Sequence, residues 1–476
     1  MRKYLLVIGL ALSLVACEKD FLDRHPKTQM NAANFYRNRD DLNYALTAAY
    51  ASLASDGQYG YNFMHLMEIR SDNSSLADYS RSGRRYGDID FFTLSSENAV
   101  LEQSWRSCYN GINRCNLVLD HLASIPDMSE AEKAQRKGEA LFIRSLSYFN
   151  MLRLWGEVPL ILSETTDPMQ SFQQKRKPVA EVYALLVSDL EEAQSLLTAK
   201  AEESGRATRG AAQALLAKVH LSQGAYAAAV QSLKPLIGTY RLLDDYAQVF
   251  ALSNENNEEV IFSIQYKGGL NGLGSKFANL CAIDLSLVGN GSAYGDNLPS
   301  EDLIKSYSTN DRRLGVNIDS LFGVPYCKKY IESVPANFEG DKNFIVLRYA
   351  DVLLMLAEAI NELGYQSDPT GNQTEAFIYL NAIRLRAGLS PLNSSDLADQ
   401  NAFREAVFKE RRKELAFENH RWFDMIRSGK ASAVSQVAST QGPIQTYFDY
   451  KNLYPIPERE IITVNNSAYM WQNPGY

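Results

Sequence analysis

The stretch EALFIRSLSYFNMLRLWGEVPLIL, residues 139–162, decides the fold class. Within it Leu141, Tyr148, Leu152 and Trp155 trace one stripe at helical spacing, with Phe142, Leu146 and Phe149 beside it. A stripe that wide is the core-facing side of a helix packed among others. Gly156 and Pro159 then end the helix, the one by loosening the backbone and the other by withdrawing an N–H. Working outward, the same periodicity predicts helices over Asp40–Leu53, Glu97–Leu122, Val179–Leu197, Leu347–Leu363, Thr374–Ala387 and Asn401–Ile426. Ala207–Ile237 reads as helix, turn, helix: alanine-rich through Leu215 and Leu216, broken at Gln223-Gly224, and resumed from Ala225 to Leu233 before Pro235. Small residues at the crossing resemble a tetratricopeptide pair, although no strict period of about 34 residues persists. The prediction is a mainly α body with helix pairs stacked in solenoid fashion.

Two regions depart from this pattern. Ser55–Ser96 is rich in Ser, Gly, Asp, Arg and Tyr, and residues 268–295 hold seven of the 28 glycines. Both are predicted to be long loops, which inside a compact body are most often functional. They are the expected place for a ligand site on a rigid helical scaffold.

The chain opens with Arg2 and Lys3, an apolar run from Tyr4 to Val15, and Leu14-Val15-Ala16-Cys17. The run is too short to span a hydrocarbon core of ~30 Å. It reads as a lipoprotein signal peptide over residues 1–16, with Cys17 as the lipidated residue and the new N-terminus. Several acyl chains at ~0.8 kcal/mol per buried CH₂ would anchor the protein to a membrane. Residues 17–476 contain no further apolar run long enough to cross one.

The formal net charge of −8 argues against a nucleic-acid partner. Cys108, Cys115, Cys281 and Cys327 lack paired metal-ligand spacing and read as small buried hydrophobes. The five histidines, at 25, 65, 121, 220 and 420, show no His-Glu-x-x-His pattern, and neither a nucleophile elbow nor a phosphate-binding loop occurs. No metal and no cofactor are therefore expected. Arg348, Asp351 and Glu358 fall on one side of an otherwise apolar predicted helix. Two carboxylates there could serve acid–base chemistry, but a neighbouring arginine would depress both pKa values, so a buried ion pair is the preferred reading. In KERRKELAFE, residues 409–418, Glu410 with Lys413 and Arg411 with Glu414 stand three apart, which suits intrahelical pairing.

Taken in order, these segments resemble the SusD/RagB family of surface lipoproteins. The resemblance rests on the stretch from Glu139, LRYADVLLMLAEAINELG from Leu347, LNAIRLRAGL from Leu380, ERRKELAFENHRWFDMIRSG from Glu410, LYPIPEREI from Leu453 and the terminal QNPGY, behind the lipid-attachment motif. It implies a SusD-like fold of four tetratricopeptide-like helix pairs plus a loop-rich, less regular second half. One body would extend over 17–476, with an N-terminal part at about 21–240 interleaved with a C-terminal part at about 258–476. It implies a nutrient-capturing protein without catalytic activity, lipid-anchored in the outer membrane and facing the exterior. Its expected partner is a SusC-like TonB-dependent transporter. Glu18-Lys19-Asp20 resembles the family's export signal to the outer face.

The family takes glycans of many kinds and some peptides, so residue types must indicate the ligand. Glycan sites stack sugar faces on aromatic rings and bind hydroxyls with polar side chains. All four tryptophans, at 105, 155, 422 and 471, fall in helical or terminal segments, which leaves tyrosine or phenylalanine for stacking. Tyr79, Arg81 and Tyr86 are expected to meet Tyr294 across a shallow groove, with Asp72 as a hydroxyl acceptor. Three arginines between residues 81 and 85 leave an anionic glycan or a peptide carboxylate open. A third alternative is a surface glycoside hydrolase using Asp351 and Glu358.

Overall fold

The computed structural model describes residues 35–167, 169, 172–436 and 447–476. Cys17 and the signal segment lie outside the described residues. Helices α1 (Arg39–Leu53), α2 (Ala99–His121), α3 (Glu130–Trp155), α4 (Val179–Leu196), α5 (Arg209–Ser222), α6 (Tyr226–Leu233), α7 (Tyr349–Leu363) and α8 (Glu375–Arg386) each pack on the next. Such a succession of neighbour contacts is how a solenoid buries faces that single helices cannot. The protein is mainly α, with little strand. Helix α9 (Gln400–Glu414) covers α7 and α8, and α10 (Arg421–Arg427) and α11 (Glu458–Val464) follow. The main apolar core runs from Leu42 to Met470, with smaller clusters around Trp422 and Val288.

The stretch around Phe149 is the middle of α3, where the residues from Gly138 to Leu152 are all buried. The helix starts earlier than its apolar stripe, at a capping box of Ser129 and Glu132. Gly156 ends it at φ 74°, and a Cβ there would lie 2.9 Å from Leu453, so the stop depends on glycine for two reasons.

The longer strands are β1 (Val260–Ile264), β2 (Ile318–Leu321), β3 (Val324–Cys327) and β4 (Phe344–Arg348); β1 pairs antiparallel with β4 across a long stretch of chain, and β2 with β3 as a hairpin. Two pairs of two-residue strands, Ser74–Ser75 with Leu298–Pro299 and Val158–Pro159 with Arg176–Lys177, join further segments. Leu347 and Arg348 therefore end a strand and do not begin a helix. Arg348 is extended at φ −142° and paired with Val260.

The predicted helix Asn401–Ile426 is two helices. Residues 415–420 break it, with Phe417 at φ 68° and Asn419 at φ 64°. Their N–H groups leave the helical pattern for the Glu68 carboxylate, each at 2.9 Å. The ion pairs also differ from expectation. Arg411 reaches Asp351 at 2.7 Å and Asp424 at 2.8 Å. Glu414 takes Arg313 at 3.1 Å, Arg348 at 2.6 Å and Arg386 at 2.5 Å. Burial would raise the Glu414 pKa, but the guanidiniums outweigh it and hold the carboxyl far below its ordinary range. Only Glu410 and Lys413 retain the intrahelical pairing, at 3.6 Å. Arg348, Asp351 and Glu358 hold different partners: Arg348 also binds Glu259 and Glu418, Asp351 binds Lys218 at 2.6 Å, and Glu358 binds Arg427. These charges fasten helices to one another across the core.

Ser55–Ser96 is largely core. Tyr59, Phe63, Leu66 and Ile69 are buried, and Met64–Ile69 forms a π-helical turn. A π turn shifts the side-chain spacing away from 3.6 residues, which hides the segment from a search for α periodicity.

Candidate ligand site

Three segments remote in sequence bring an aromatic and cationic cluster together at the surface. The first passes through a turn with Ser82 at φ 56°, Gly83 at 69° and Arg84 at 67°. This turn sends Arg81 inward and leaves Arg84 and Arg85 exposed. Asn98, the cap of α2, clamps the turn by donating to the Arg85 carbonyl at 2.9 Å.

The Arg81 guanidinium stands 4.7 Å from the centre of the Tyr294 ring and 5.5 Å from that of Tyr86. It pairs with Asp296 and donates to the Tyr294 carbonyl at 3.4 Å. Asp296 also meets His65 Nε2 at 3.0 Å, and both of these side chains are fully buried. Burial alone would lower the Arg81 pKa, but Asp296 raises it, so the guanidinium stays charged. Burial raises the Tyr61 and Tyr86 pKa values, and both phenols stay neutral.

The rings support one another. His65 stacks on Tyr86 at 4.3 Å, Tyr61 lies 5.5 Å from Tyr86, and Tyr294 stacks on Phe338 at 5.4 Å. Phe338 adopts φ 66°, a costly conformation for an aromatic residue, and its N–H is held by Asn279 at 2.8 Å. Lys276 stands 5.1 Å from the Phe338 ring centre and pairs with Asp56 at 2.5 Å. Half-exposed rings beside fixed cations can take the C–H face of a sugar and hydrogen-bond its hydroxyls. His65 lies behind the rings with its Nε2 already engaged, so this cluster presents no accessible acid–base pair.

Of the residues expected here, Arg81, Tyr86 and Tyr294 do come together. Tyr86 is 8 % exposed, so it supports the surface more than it presents one. Tyr79 stacks on Phe91 at 4.3 Å and bonds to Asp90. The expectation for Asp72 is revised: it is buried, and it is engaged in salt bridges with Arg421, at 2.7 and 2.8 Å, and with Arg412 at 3.4 Å. Tyr266 and Tyr326, two further tyrosines of the second half, are buried. Sequence reading missed Phe338, Lys276, His65 and Asp296. Only the Tyr61–His65 spacing of four, which stacks the two rings at 5.1 Å on one helical turn, offered a signal.

Among the described residues no group of His, Cys, Asp and Glu could hold a metal ion, and no helix is long and apolar enough to cross a membrane. The four cysteines at 108, 115, 281 and 327 are buried and unbridged.

Two family models match the chain. One, described as the SusD family, matches residues 314–476; the other, described as starch-binding associating with outer membrane, matches residues 20–221. SusD-like protein P2 of Formosa agariphila is 27% identical over the whole of both chains. A SusD-like protein of Bacteroides fragilis superposes with TM-score 0.78 at 25% identity, covering 93% of this chain and 98% of that one. A laminarin-binding SusD-like protein superposes with TM-score 0.76 at 25% identity, covering 93% of this chain and all of the other.

Proposed function

The chain belongs to the SusD family, and from that premise we propose that it captures an oligosaccharide or polysaccharide and delivers it to a TonB-dependent outer-membrane transporter of the SusC type. The observation that carries the ligand class is the Tyr294–Phe338 stack flanked by Arg81 and Lys276. Its rings are half-exposed and held from behind, as a sugar platform requires. Laminarin binding by a relative of the same fold supports this class. In this reading residues 17–476 act as one body, anchored through Cys17 to the outer membrane and exposed to the exterior.

Calorimetric titration of the full-length protein in detergent tests the reading, against neutral glycans, acidic glycans and peptides. Saturable heat with a neutral glycan is expected. Heat from peptides alone, or from none of the panel, would overturn it. One observation favours a second reading: Arg84 and Arg85 are exposed beside the cluster, and they would suit a uronic acid or a peptide carboxylate. Heat from acidic ligands only, lost above a few hundred millimolar salt, would select that reading.

We propose binding without turnover. Asp351 is fixed between Lys218 and Arg411, and Glu358 is held by Arg427. Burial would raise the Asp351 pKa, but its cations bring it well below the ordinary range, so it has no proton to donate.

A further inference from the structure

Between α2 and α11 lies a cleft of 390 Å³ that shares no residue with the aromatic cluster. One face of α2 supplies much of its lining, through Trp105, Tyr109 and Asn113, which fall four positions apart, and Asn110, three before Asn113. Gln174 and Glu460 close the other side.

The lining is held from behind. Trp105 is buried, packs edge-on against Trp155 at 5.3 Å, and donates its indole N–H to Glu460. Tyr109 lies 5.3 Å from Trp105, and its hydroxyl donates to the Pro159 carbonyl at 2.8 Å. The plane of the Tyr109 ring is therefore fixed at both ends before any ligand arrives. Asn110 Oδ1 accepts from Arg114 at 2.7 Å, which leaves its NH₂ as the donor. The Asn113 Oδ1 atom is buried without a hydrogen-bond partner. An acceptor in that state has lost water and gained nothing in exchange, so turning the amide toward a ligand donor in the cleft would be favoured.

The charges at the cleft cancel. Arg459 and Arg106 take Glu102 at 2.8 and 3.5 Å, so two cations stand against the two carboxylates of Glu102 and Glu460. Burial first, and the Glu102 charge second, push the Glu460 pKa up. A fixed ring, amides offering both a donor and an acceptor, and no unbalanced charge fit a neutral, hydroxyl-rich ring. The volume falls in the range of pockets for small ligands, about 300–1,000 Å³.

We propose that this cleft is a second carbohydrate site, which seats one or two neutral sugar rings on Tyr109 with hydroxyls bound by Asn110, Asn113 and Gln174. It rests on the glycan-binding reading for its ligand class alone. Two sites on one chain would hold a long polysaccharide by avidity, since the second contact becomes intramolecular.

Hydrogen-exchange mass spectrometry on the full-length protein reads the two sites separately. The probes are laminarihexaose, maltohexaose, cellohexaose and xylohexaose. At least one is expected to protect residues 105–113 and 460–470, and to do so equally in Tyr294→Ala. Asn113→Leu removes an amide that makes no bond in the protein through its oxygen, so folding should survive. It should weaken protection of the cleft about tenfold, the worth of one hydrogen bond to a ligand, and leave residues 61–86 unaffected. The proposal is overturned by a cleft that no probe protects, or by Asn113→Leu and Tyr109→Ala both behaving as wild type. Failure of the principal reading shows elsewhere, as missing protection at 61–86 and 290–296.

Discussion

The Glu68 carboxylate accepts the backbone N–H of Asn419 at 2.9 Å, although 351 positions separate the two residues. Its other oxygen takes the Phe417 N–H and the Asn73 amide, both at 2.9 Å. Three donors and no acceptor surround the group. Glu68→Gln would turn an NH₂ toward at least one of these N–H groups and is expected to cost ~1–3 kcal/mol. Urea unfolding should show a lower midpoint at unchanged slope.

Asp90 gives the protein a stability that depends on pH. Burial, against opposing bonds from Tyr79 and Leu76, pushes its carboxyl from 3.8 up to about 7. A raised carboxyl contributes stability that is full below its unfolded pKa and is lost as the pH climbs through its folded value. The window therefore runs from about pH 4 to about pH 7. Asp90→Asn should melt above wild type at pH 8, by on the order of a few kcal/mol, and close to it near pH 4. Melts at intervals across that range would test this, and a difference that is constant with pH would refute it.

The Glu414 cluster should respond to single and paired changes differently. Glu414→Gln leaves Arg313, Arg348 and Arg386 short of an anion in the core, at an expected cost of ~3–5 kcal/mol. Adding Arg386→Met should recover part of it. A double-mutant cycle in chemical denaturation measures that recovery.

Tyr294 and Tyr86 should separate binding from folding. Tyr294 is half-exposed on Phe338, so Tyr294→Ala should lower glycan affinity at least about tenfold, with a nearly unchanged melting temperature. Tyr86 is buried against His65, so Tyr86→Ala should cost both affinity and stability. Equal melting temperatures for the two variants would contradict this division.

Sequence alone made the helical scaffold legible because α3 and α5 declare themselves locally. Leu141 through Trp155 is apolar at helical spacing, and Gly224 marks its turn without help from elsewhere. The break at Phe417–Asn419 was not legible, because its reason lies in Glu68, far away along the chain. Ser55–Ser96 resembled an exposed loop because its polar residues, such as Asn62, Glu68 and Asp72, find buried partners in other segments. The candidate cluster was half legible for a similar reason. Arg81, Tyr86 and Tyr294 stood out by composition, whereas Phe338 and Lys276 have only geometry to identify them. Asp72 misled because a carboxylate near arginines looks the same in sequence whether it serves a ligand or a salt bridge.

The turn at Ser82–Arg84 bears on how the protein diversifies. It forms few bonds to the helical stack, and in Gly83 a side chain would meet nothing within 4 Å. Gly83 itself, at φ 69°, is held to glycine by its backbone, but changes at the exposed Arg84 and Arg85 would alter the surface beside Arg81 and leave the helices undisturbed. A redesign of ligand preference can therefore start at these two arginines while the buried residues beneath them are kept.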